Sequence, residues 1–337
     1  MNPKVKVLRL LFVALSLLCF SITTMSADLD WQTFKHRFLA QDGRIIDTGN
    51  HNISHTEGQG FSMLFAVAAN DQKEFDHIWR WTKKYLQDPQ TKLFYWKYNP
   101  ISANPIEDKN NASDGDVLIA WALLKAAKKW NVPEYLTESD TIVRSLLKYT
   151  VVEFGGYKVM LPGRYGFTAK NEVIINPSYF IFPAWNDFLR RTHLAEIKTL
   201  INDCYRLLQD IDWGRFKLPT DWISLSATGK TYPAARWPAR VSYDAIRVPM
   251  YIKWAEPNNP ILVRWSDWFR AYPRNSMPAW ENMVDQSTAV YPMRGGLMAV
   301  RDLTLGQLSL SDTRVLVSDD YYSSSLKLLS VLAAAGE

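Results

Sequence analysis

The sequence predicts an all-α fold, a single domain built from helical hairpins. Three observations support this prediction: apolar residues recur at helical spacing in many segments, strand signals are few and short, and long loops separate the helical segments. The chain has 337 residues, 47% of them hydrophobic and 22% charged, which is an ordinary composition for a folded protein. Periodicity alone leaves open whether the helices form a bundle, a solenoid or a closed barrel.

The first 27 residues are predicted to be a secretory signal peptide, outside the folded domain at 28–337. An apolar run over 10–22 follows a positive start, and small residues then precede Asp28. The positive residues are Lys4, Lys6 and Arg9. Because a permanent membrane helix needs roughly 20 apolar residues, we expect a secreted protein, periplasmic or extracellular, with no integral membrane segment after cleavage. An uncleaved anchor is the alternative.

The mature chain is predicted to be nearly neutral and to hold one cysteine. Residues 1–27 contain three basic and no acidic residues, so the formal net charge falls from +5 to +2 without them. So small a charge gives no electrostatic reason to expect nucleic acid as a partner. Cys204 has no second cysteine to pair with, and its position on an apolar helical stripe predicts a buried, inert thiol.

The three clearest helices are marked by apolar residues at steps of three and four. The segment 71–86 carries Phe75, Ile78, Trp79, Thr82 and Leu86 on one face. The segment 114–130 carries Val117, Ala120, Trp121 and Leu124, and the lysines near its C-terminus interact favourably with the helix dipole. The segment 193–212 carries Ile197, Leu200, Ile201, Cys204, Leu207, Leu208 and Ile211.

Weaker patterns predict the remaining elements. Further helices are expected over 58–70, 139–152, 179–191, 242–254, 260–271, 284–290 and 319–335. Candidate N-caps are Thr137, Ser139 and Asp319. Short strands are expected over 157–161 and 172–175. The long loops between these elements are rich in Pro, Asn and aromatic residues, and loops of this length are usually functional or binding loops; they span 88–113, 155–178, 213–241 and 272–296.

Several classes of chemistry have no support in the sequence. A nucleophile elbow, a phosphate-binding loop and a dinucleotide-binding fingerprint are absent from the sequence. His51 and His55 are four residues apart, but Asn52-Ile53-Ser54 replaces the intervening Glu of a zinc protease motif. We therefore interpret them as two loop histidines and expect no metal or organic cofactor. A metal-dependent hydrolase using this pair is kept as an alternative.

Three acidic residues beside glycine and aromatic residues are the remaining candidates for catalysis. Glu57 lies in Thr-Glu-Gly-Gln-Gly-Phe-Ser-Met, Asp114 in Ala-Ser-Asp-Gly-Asp, and Asp244 in Val-Ser-Tyr-Asp-Ala-Ile-Arg. Each has a purely structural explanation as well. Glu57 would suit a helix N-terminus, Asp114 would suit a helix cap, and Asp244 would form an ion pair with Arg247, three residues on.

Taken together, these motifs resemble the pattern of glycoside hydrolase family 8. Four motifs carry the resemblance in order: Glu-Gly-Gln-Gly-Phe-Ser-Met at 57–63, Asn-Asn-Ala-Ser-Asp-Gly-Asp-Val at 110–117, Asn-Pro-Ser-Tyr-Phe at 176–180, and Ser-Tyr-Asp-Ala-Ile-Arg-Val at 242–248. It extends from about Trp31 to Tyr322. Within the family, the chain looks most similar to the periplasmic endoglucanase that accompanies bacterial cellulose synthase. Thr56 and Phe61-Ser62 depart from the usual Ser and Tyr-Gly.

The resemblance implies an (α/α)6 barrel, six helical hairpins closed into a toroid with long loops forming a cleft. It also implies an inverting endo-β-1,4-glucanase, a cellulase, with β-1,4-glucan chains and the cellulose synthase complex as expected partners. By position, Glu57 matches the general acid and Asp244 the general base. The remaining matches are to residues around the sugar: Asp114, Tyr179, Tyr243 and Arg247, with Trp96 as a stacking platform.

The chemistry explains why these residue types are needed. Hydrolysis requires one carboxyl that protonates the leaving oxygen and one that activates water on the opposite face of the sugar. Asp114 is the candidate neighbour that helps Glu57 to keep a proton, and Arg247 the candidate that keeps Asp244 ionised. Xylan, chitosan or mixed-linkage β-glucan are alternative substrates, and a non-catalytic periplasmic glycan-binding factor is the alternative outside enzymes.

Overall fold

The computed structural model describes residues 30–309 and 311–337, and the predicted signal peptide lies outside them. Within these two ranges, no helix is long and apolar enough to cross a membrane. The helices are α1 (30–38), α2 (Thr56–Ala68), α3 (Gln72–Leu86), α4 (Ser113–Trp130), α5 (Pro133–Tyr149), α6 (Phe182–Thr192), α7 (Ala195–Gln209), α8 (Arg247–Ala255), α9 (Leu262–Arg270), α10 (Gly295–Thr304) and α11 (Tyr321–Ala335).

Six helices form a closed inner ring, in the order α2, α4, α6, α8, α10 and α11. Each packs against the next, and α11 returns to pack against α2. Helices α2, α4, α10 and α11 are buried over most of their length, as expected of helices surrounded by other helices. The outer helices α3, α5, α7 and α9 each pack on the inner helix before them. The arrangement confirms the predicted (α/α)6 barrel.

The alternation of inner and outer helices sets the direction of the ring. Because α3, α5, α7 and α9 each carry the chain back, α2, α4, α6, α8 and α10 run the same way. Helix α11 follows α10 with no helix between them in the described residues, and its first turn lines the same end of the barrel as those of α2 and α8. Short antiparallel strands lie in the connections: β1 (Ser54–His55) with β2 (Lys97–Tyr98), β3 (Val151–Phe154) with β4 (Tyr157–Met160), β5 (Glu172–Ile175) with β6 (Ile223–Ser226) and β7 (Thr231–Pro233), and β8 (Arg240–Val241) with β9 (Glu281–Asn282).

Two glycines allow α2 and α4 to approach closely. A Cβ on Gly60 would lie 2.5 Å from Leu118 Cβ, and a Cβ on Gly115 would lie 2.0 Å from Thr56 Oγ1. Both separations are shorter than two non-bonded heavy atoms tolerate. The helix starts that carry Glu57 and Asp114 are therefore held in contact, backbone against backbone.

Most of the predicted elements are confirmed, but one predicted helix was wrong and two helices, α1 and α10, were not predicted. The segment 284–290 forms turns, because Asn282 Oδ1 accepts the N–H groups of Val284 and Asp285 and so competes with helical bonding. Helix α10 opens with Gly295 and Gly296. Gly296 is needed there, since a Cβ would lie 2.4 Å from the Ser323 carbonyl oxygen of α11.

The predicted N-caps were also wrong in detail. Thr137 and Ser139 lie inside α5, which begins earlier because Pro133 fixes the first helical residue. Asp320, rather than Asp319, caps α11 by accepting the Ser323 N–H. Cys204 is buried on α7, as predicted, and burial raises the pKa of its thiol well above the usual value.

Candidate active site

The seven residues proposed from the sequence line one cavity of about 490 Å³ at the N-terminal end of the inner ring. Glu57 lies in the first turn of α2, and Asp114 in the first turn of α4. Arg247 is the first residue of α8, with Asp244 just before it. The other three are Trp96, Tyr179 and Tyr243.

The start of α2, which positions Glu57, is fixed by a histidine cap. His55 Nδ1 accepts the Gly58 N–H at 3.1 Å, and His55 Nε2 faces Asp47 Oδ2 at 3.2 Å. His51 instead is exposed, in a left-handed turn with φ 53°. The two histidines therefore share no helical face, and both ring nitrogens of His55 have protein partners.

Arg247 joins the two proposed catalytic carboxyls. Its guanidinium is 4% exposed, and its Nη1 lies 2.9 Å from Glu57 Oε2 while its Nη2 lies 2.9 Å from Asp244 Oδ1. The same Nη2 donates to Ser178 Oγ at 2.9 Å. The expected Arg247–Asp244 ion pair is present. The contact with Glu57, across the barrel from α8 to α2, was not predicted.

Asp114 is a buried carboxyl that tends to hold a proton. It is 4% exposed, and burial raises its pKa well above the usual value, with a further contribution from the negative charge of Glu57. Burial also raises the pKa of Asp244, but the neighbouring Arg247 opposes that effect. Arg247 thus acts on Asp244 in the direction that we predicted from the sequence.

A model of the glycosyl hydrolases family 8 matches residues 5–336. The chain belongs to this family. It is 54% identical over 281 residues to an endoglucanase of Cellulomonas uda, covering 83% of this chain and 78% of that protein. It is 37% identical over 313 residues to a probable endoglucanase of Novacetimonas hansenii, covering 91% of this chain and 90% of that protein.

A solved structure agrees with this assignment. Endoglucanase Cel10, a family 8 glycosyl hydrolase from Klebsiella pneumoniae, superposes with a TM-score of 0.90 at 53% identity, covering 91% of this chain and 99% of that chain. The predicted resemblance to glycoside hydrolase family 8 is confirmed, and with it the class of the protein: it is a glycoside hydrolase.

The family 8 cavity contains residues that the sequence analysis did not select. Tyr322, in the first turn of α11, lies 3.3 Å from Arg247 Nη1 through its hydroxyl group and donates a hydrogen bond to the Tyr243 carbonyl oxygen. Asn176 Oδ1 accepts the Ser178 N–H and so caps the short helix that holds Ser178, a partner of Arg247. Asn176 and Ser178 lie in the motif at 176–180 that the sequence analysis quoted, whereas no sequence motif marks Tyr322.

A second cavity adjoins the first, which lengthens the surface available to a ligand. Trp96 is half-buried at the wall of the first cavity, and its Nε1 donates to Asp108 Oδ2 at 2.8 Å. Tyr243 is 44% exposed, with its hydroxyl 3.4 Å from that of Tyr291. The second cavity, of about 770 Å³, shares Tyr243, Asp320 and Tyr322 with the first. The shared residues place the two cavities side by side, and together they are called the groove.

We expect the stability of this family 8 enzyme to fall as the pH rises from about 4 to about 7. Burial raises the pKa of Asp116, next to the cavity, from 3.8 to about 7. Because its folded-state pKa is the higher one, the native protein binds an extra proton in this window, and that stabilisation is lost on titration through the folded pKa. Urea unfolding midpoints at pH 4.5, 6 and 8 measure the slope.

The matched variant for this measurement is Asp116→Asn. Its amide oxygen can still accept the Phe94 N–H, which Asp116 accepts at 2.8 Å, and the Asn111 amide can rotate to meet the new donor. The variant should show a smaller loss of stability between pH 4.5 and 8 than the wild type. Equal slopes in both proteins would contradict the assignment of the effect to Asp116.

Proposed function

We propose that this family 8 hydrolase cuts β-1,4-glucosidic bonds inside cellulose-like chains, with Glu57 as the proton donor and Asp244 as the base. The observation that carries the proposal is the pair of carboxyls held by one buried guanidinium on the wall of the groove. The two adjoining cavities give room for several sugar units, which suits attack within a chain. The relatives that bear the name endoglucanase support the choice of glucan.

The proposed reaction is a single displacement. Water, deprotonated by Asp244, forms a bond to the anomeric carbon, and the bond from that carbon to the leaving oxygen breaks. The electron pair stays on the leaving oxygen, which takes the proton of Glu57. Glu57 Oε2 and Asp244 Oδ1 lie within about 8 Å of each other, since both contact one planar guanidinium. This bound is compatible with the roughly 6.5–9.5 Å of inverting enzymes.

Removing either proposed catalytic group should abolish most of the turnover. We expect Glu57→Gln and Asp244→Asn each to lower kcat on carboxymethylcellulose by at least about a hundredfold, because positioned acids and bases contribute roughly 10²–10⁴ to rate. Release of reducing ends by the purified variants measures the effect. Glu196→Gln, a charge change on the exposed side of α7, is the matched control and should keep wild-type activity.

Parallel substrates separate the alternatives. If xylan, chitosan or mixed-linkage β-glucan is cut and carboxymethylcellulose is not, the carboxyl pair stands and the proposed substrate is wrong. If no polymer is cut while cello-oligosaccharides still bind, the protein is a glycan-binding factor on a hydrolase fold. Full activity in Glu57→Gln or Asp244→Asn would contradict the assigned roles.

The stereochemistry of the product tests the single displacement directly. An inverting enzyme acting on a β-linked chain releases the α-anomer first, because water attacks the face opposite the leaving group. Proton NMR of cellohexaose hydrolysis, recorded before mutarotation equilibrates the anomers, should show α-anomer signals in excess at early times. An early excess of the β-anomer would show retention and a covalent intermediate instead.

We further propose that the enzyme acts outside the cytoplasm during cellulose production, where it trims accessible glucan chains. The leader-like segment at 1–27 and the resemblance to the synthase-associated group support this role. Fractionation of producing cells, with mass measurement of the intact protein, should find it in the periplasm or medium without residues 1–27. Recovery of the full-length chain in the cytoplasm would exclude this role.

A further inference from the structure

Asp221 lies beneath the turn that presents Asp244. Its Oδ1 accepts the N–H groups of Ser242 at 2.9 Å and Ala245 at 2.8 Å, and its Oδ2 accepts the hydroxyl of Ser242. Asp244 lies between those two donors in the sequence. Three hydrogen bonds from the turn 242–245 thus converge on one carboxylate, and bonds to an ionised acceptor are the stronger kind.

The clamp, formed by Asp221 and these three hydrogen bonds, is itself anchored to the fold. The Asp221 N–H donates to the Arg240 carbonyl oxygen at 2.8 Å, which ties the residue to β8, and β8 pairs with β9. Trp222, the next residue, accepts the Ala234 N–H at 3.0 Å through its carbonyl oxygen. Asp221 is therefore held on both sides by main-chain bonds and can act as a fixed support for the turn.

We propose that Asp221 is the positioning residue of the base: it fixes the turn 242–245 and so sets the direction in which Asp244 points. This inference rests on the proposed function, in which Asp244 activates water. The Asp244 carboxylate contacts Arg247, while Asp221 bonds to main-chain groups on either side of Asp244. A shift of about 1 Å in a reacting group can cost about a hundredfold in rate, so loss of the clamp should lower turnover without weakening glucan binding.

Two substitutions separate the geometry from the charge. Asp221→Asn keeps an oxygen that can accept both N–H groups, and the Ser242 hydroxyl can accept from the new amide. It should therefore retain kcat within about tenfold of the wild type. Asp221→Ala removes all three bonds and should lower kcat by about a hundredfold with little change in KM, the pattern of an interaction used only in the transition state.

The matched control is Asp203→Ala on α7. Asp203 also accepts a main-chain N–H from a neighbouring segment, that of Lys158 at 2.7 Å, but it does not line the groove. Asp203→Ala should leave kcat and KM unchanged while lowering the melting temperature. The contrast removes general loss of stability as an explanation for the effect at Asp221.

The pH profile gives a second readout, which also serves if Asp221→Ala does not fold. Burial and the nearby charge of Asp244 raise the pKa of Asp221 to about 6. Below about pH 6, where the acidic limb lies, Asp221 is therefore protonated and neutral, so Asp221→Asn should leave the acidic limb of kcat where it is in the wild type. The other titratable groups facing Asp244 are Glu57, Asp114, Tyr179, Arg247 and Tyr322.

Asp244→Asn, assayed in parallel, distinguishes a failure of the positioning role of Asp221 from a failure of the proposed function. If Asp244→Asn is inactive while Asp221→Ala keeps kcat within about threefold of the wild type, the positioning role is wrong and the proposed base stands. If Asp244→Asn remains active, the proposed function fails instead. An Asp221→Asn protein as impaired as Asp221→Ala, or one whose acidic limb is shifted, would also overturn the inference.

Discussion

The buried guanidinium of Arg247 is the contact on which the arrangement of the site depends. It faces carboxylates from two helices on opposite parts of the ring, Glu57 of α2 and Asp244 before α8. A buried charge without partners is strongly destabilising, so the fold must keep both carboxylates within reach of this cation. The negative neighbours in turn raise the pKa of Arg247 well above its ordinary value. The requirement sets where α2 and α8 begin relative to each other.

The direction of the inner helices supports the same site. Six N-termini at one mouth of the barrel present partial positive charge there. Glu57 and Asp114 lie in the first turns of their helices, where this charge stabilises carboxylates against their mutual repulsion. Burial opposes ionisation most strongly at Asp114. The site therefore contains neighbouring acidic groups of unequal proton affinity, which acid and base catalysis requires.

The sequence predicted the faces of the helices better than the partners that cover them. Apolar stripes located α3, α4 and α7, but a period of 3.6 residues identifies a buried face without saying which helix lies on it. Closure of the ring therefore followed from the family resemblance. Helix α10 was not predicted, and its second glycine, Gly296, is required for close packing against α11.

The residues of the site were likewise predicted only in part. The six predicted residues that lie in motifs, and Trp96 outside them, line the cavity, whereas Asp221 and Tyr322 were missed. Asp221 acts on a turn that begins 21 residues away, and Tyr322 bonds to a carbonyl group 79 residues away. Contacts at such separations leave no local pattern in a single sequence.

The glycine contact between α2 and α4 has a consequence for how such an enzyme can diverge. A side chain at residue 115 would place its Cβ 2.0 Å from the Thr56 hydroxyl and 2.9 Å from the main-chain nitrogen of Glu57, which no substitution at residue 56 removes. A variant with a side chain at residue 115 must therefore shift the start of α2, and with it Glu57, and selection removes such a variant. The connections around the groove face no such barrier. New polymer preferences should therefore arise by exchange of rim segments, while the helix pair bearing Glu57 and Asp114 is inherited as a unit.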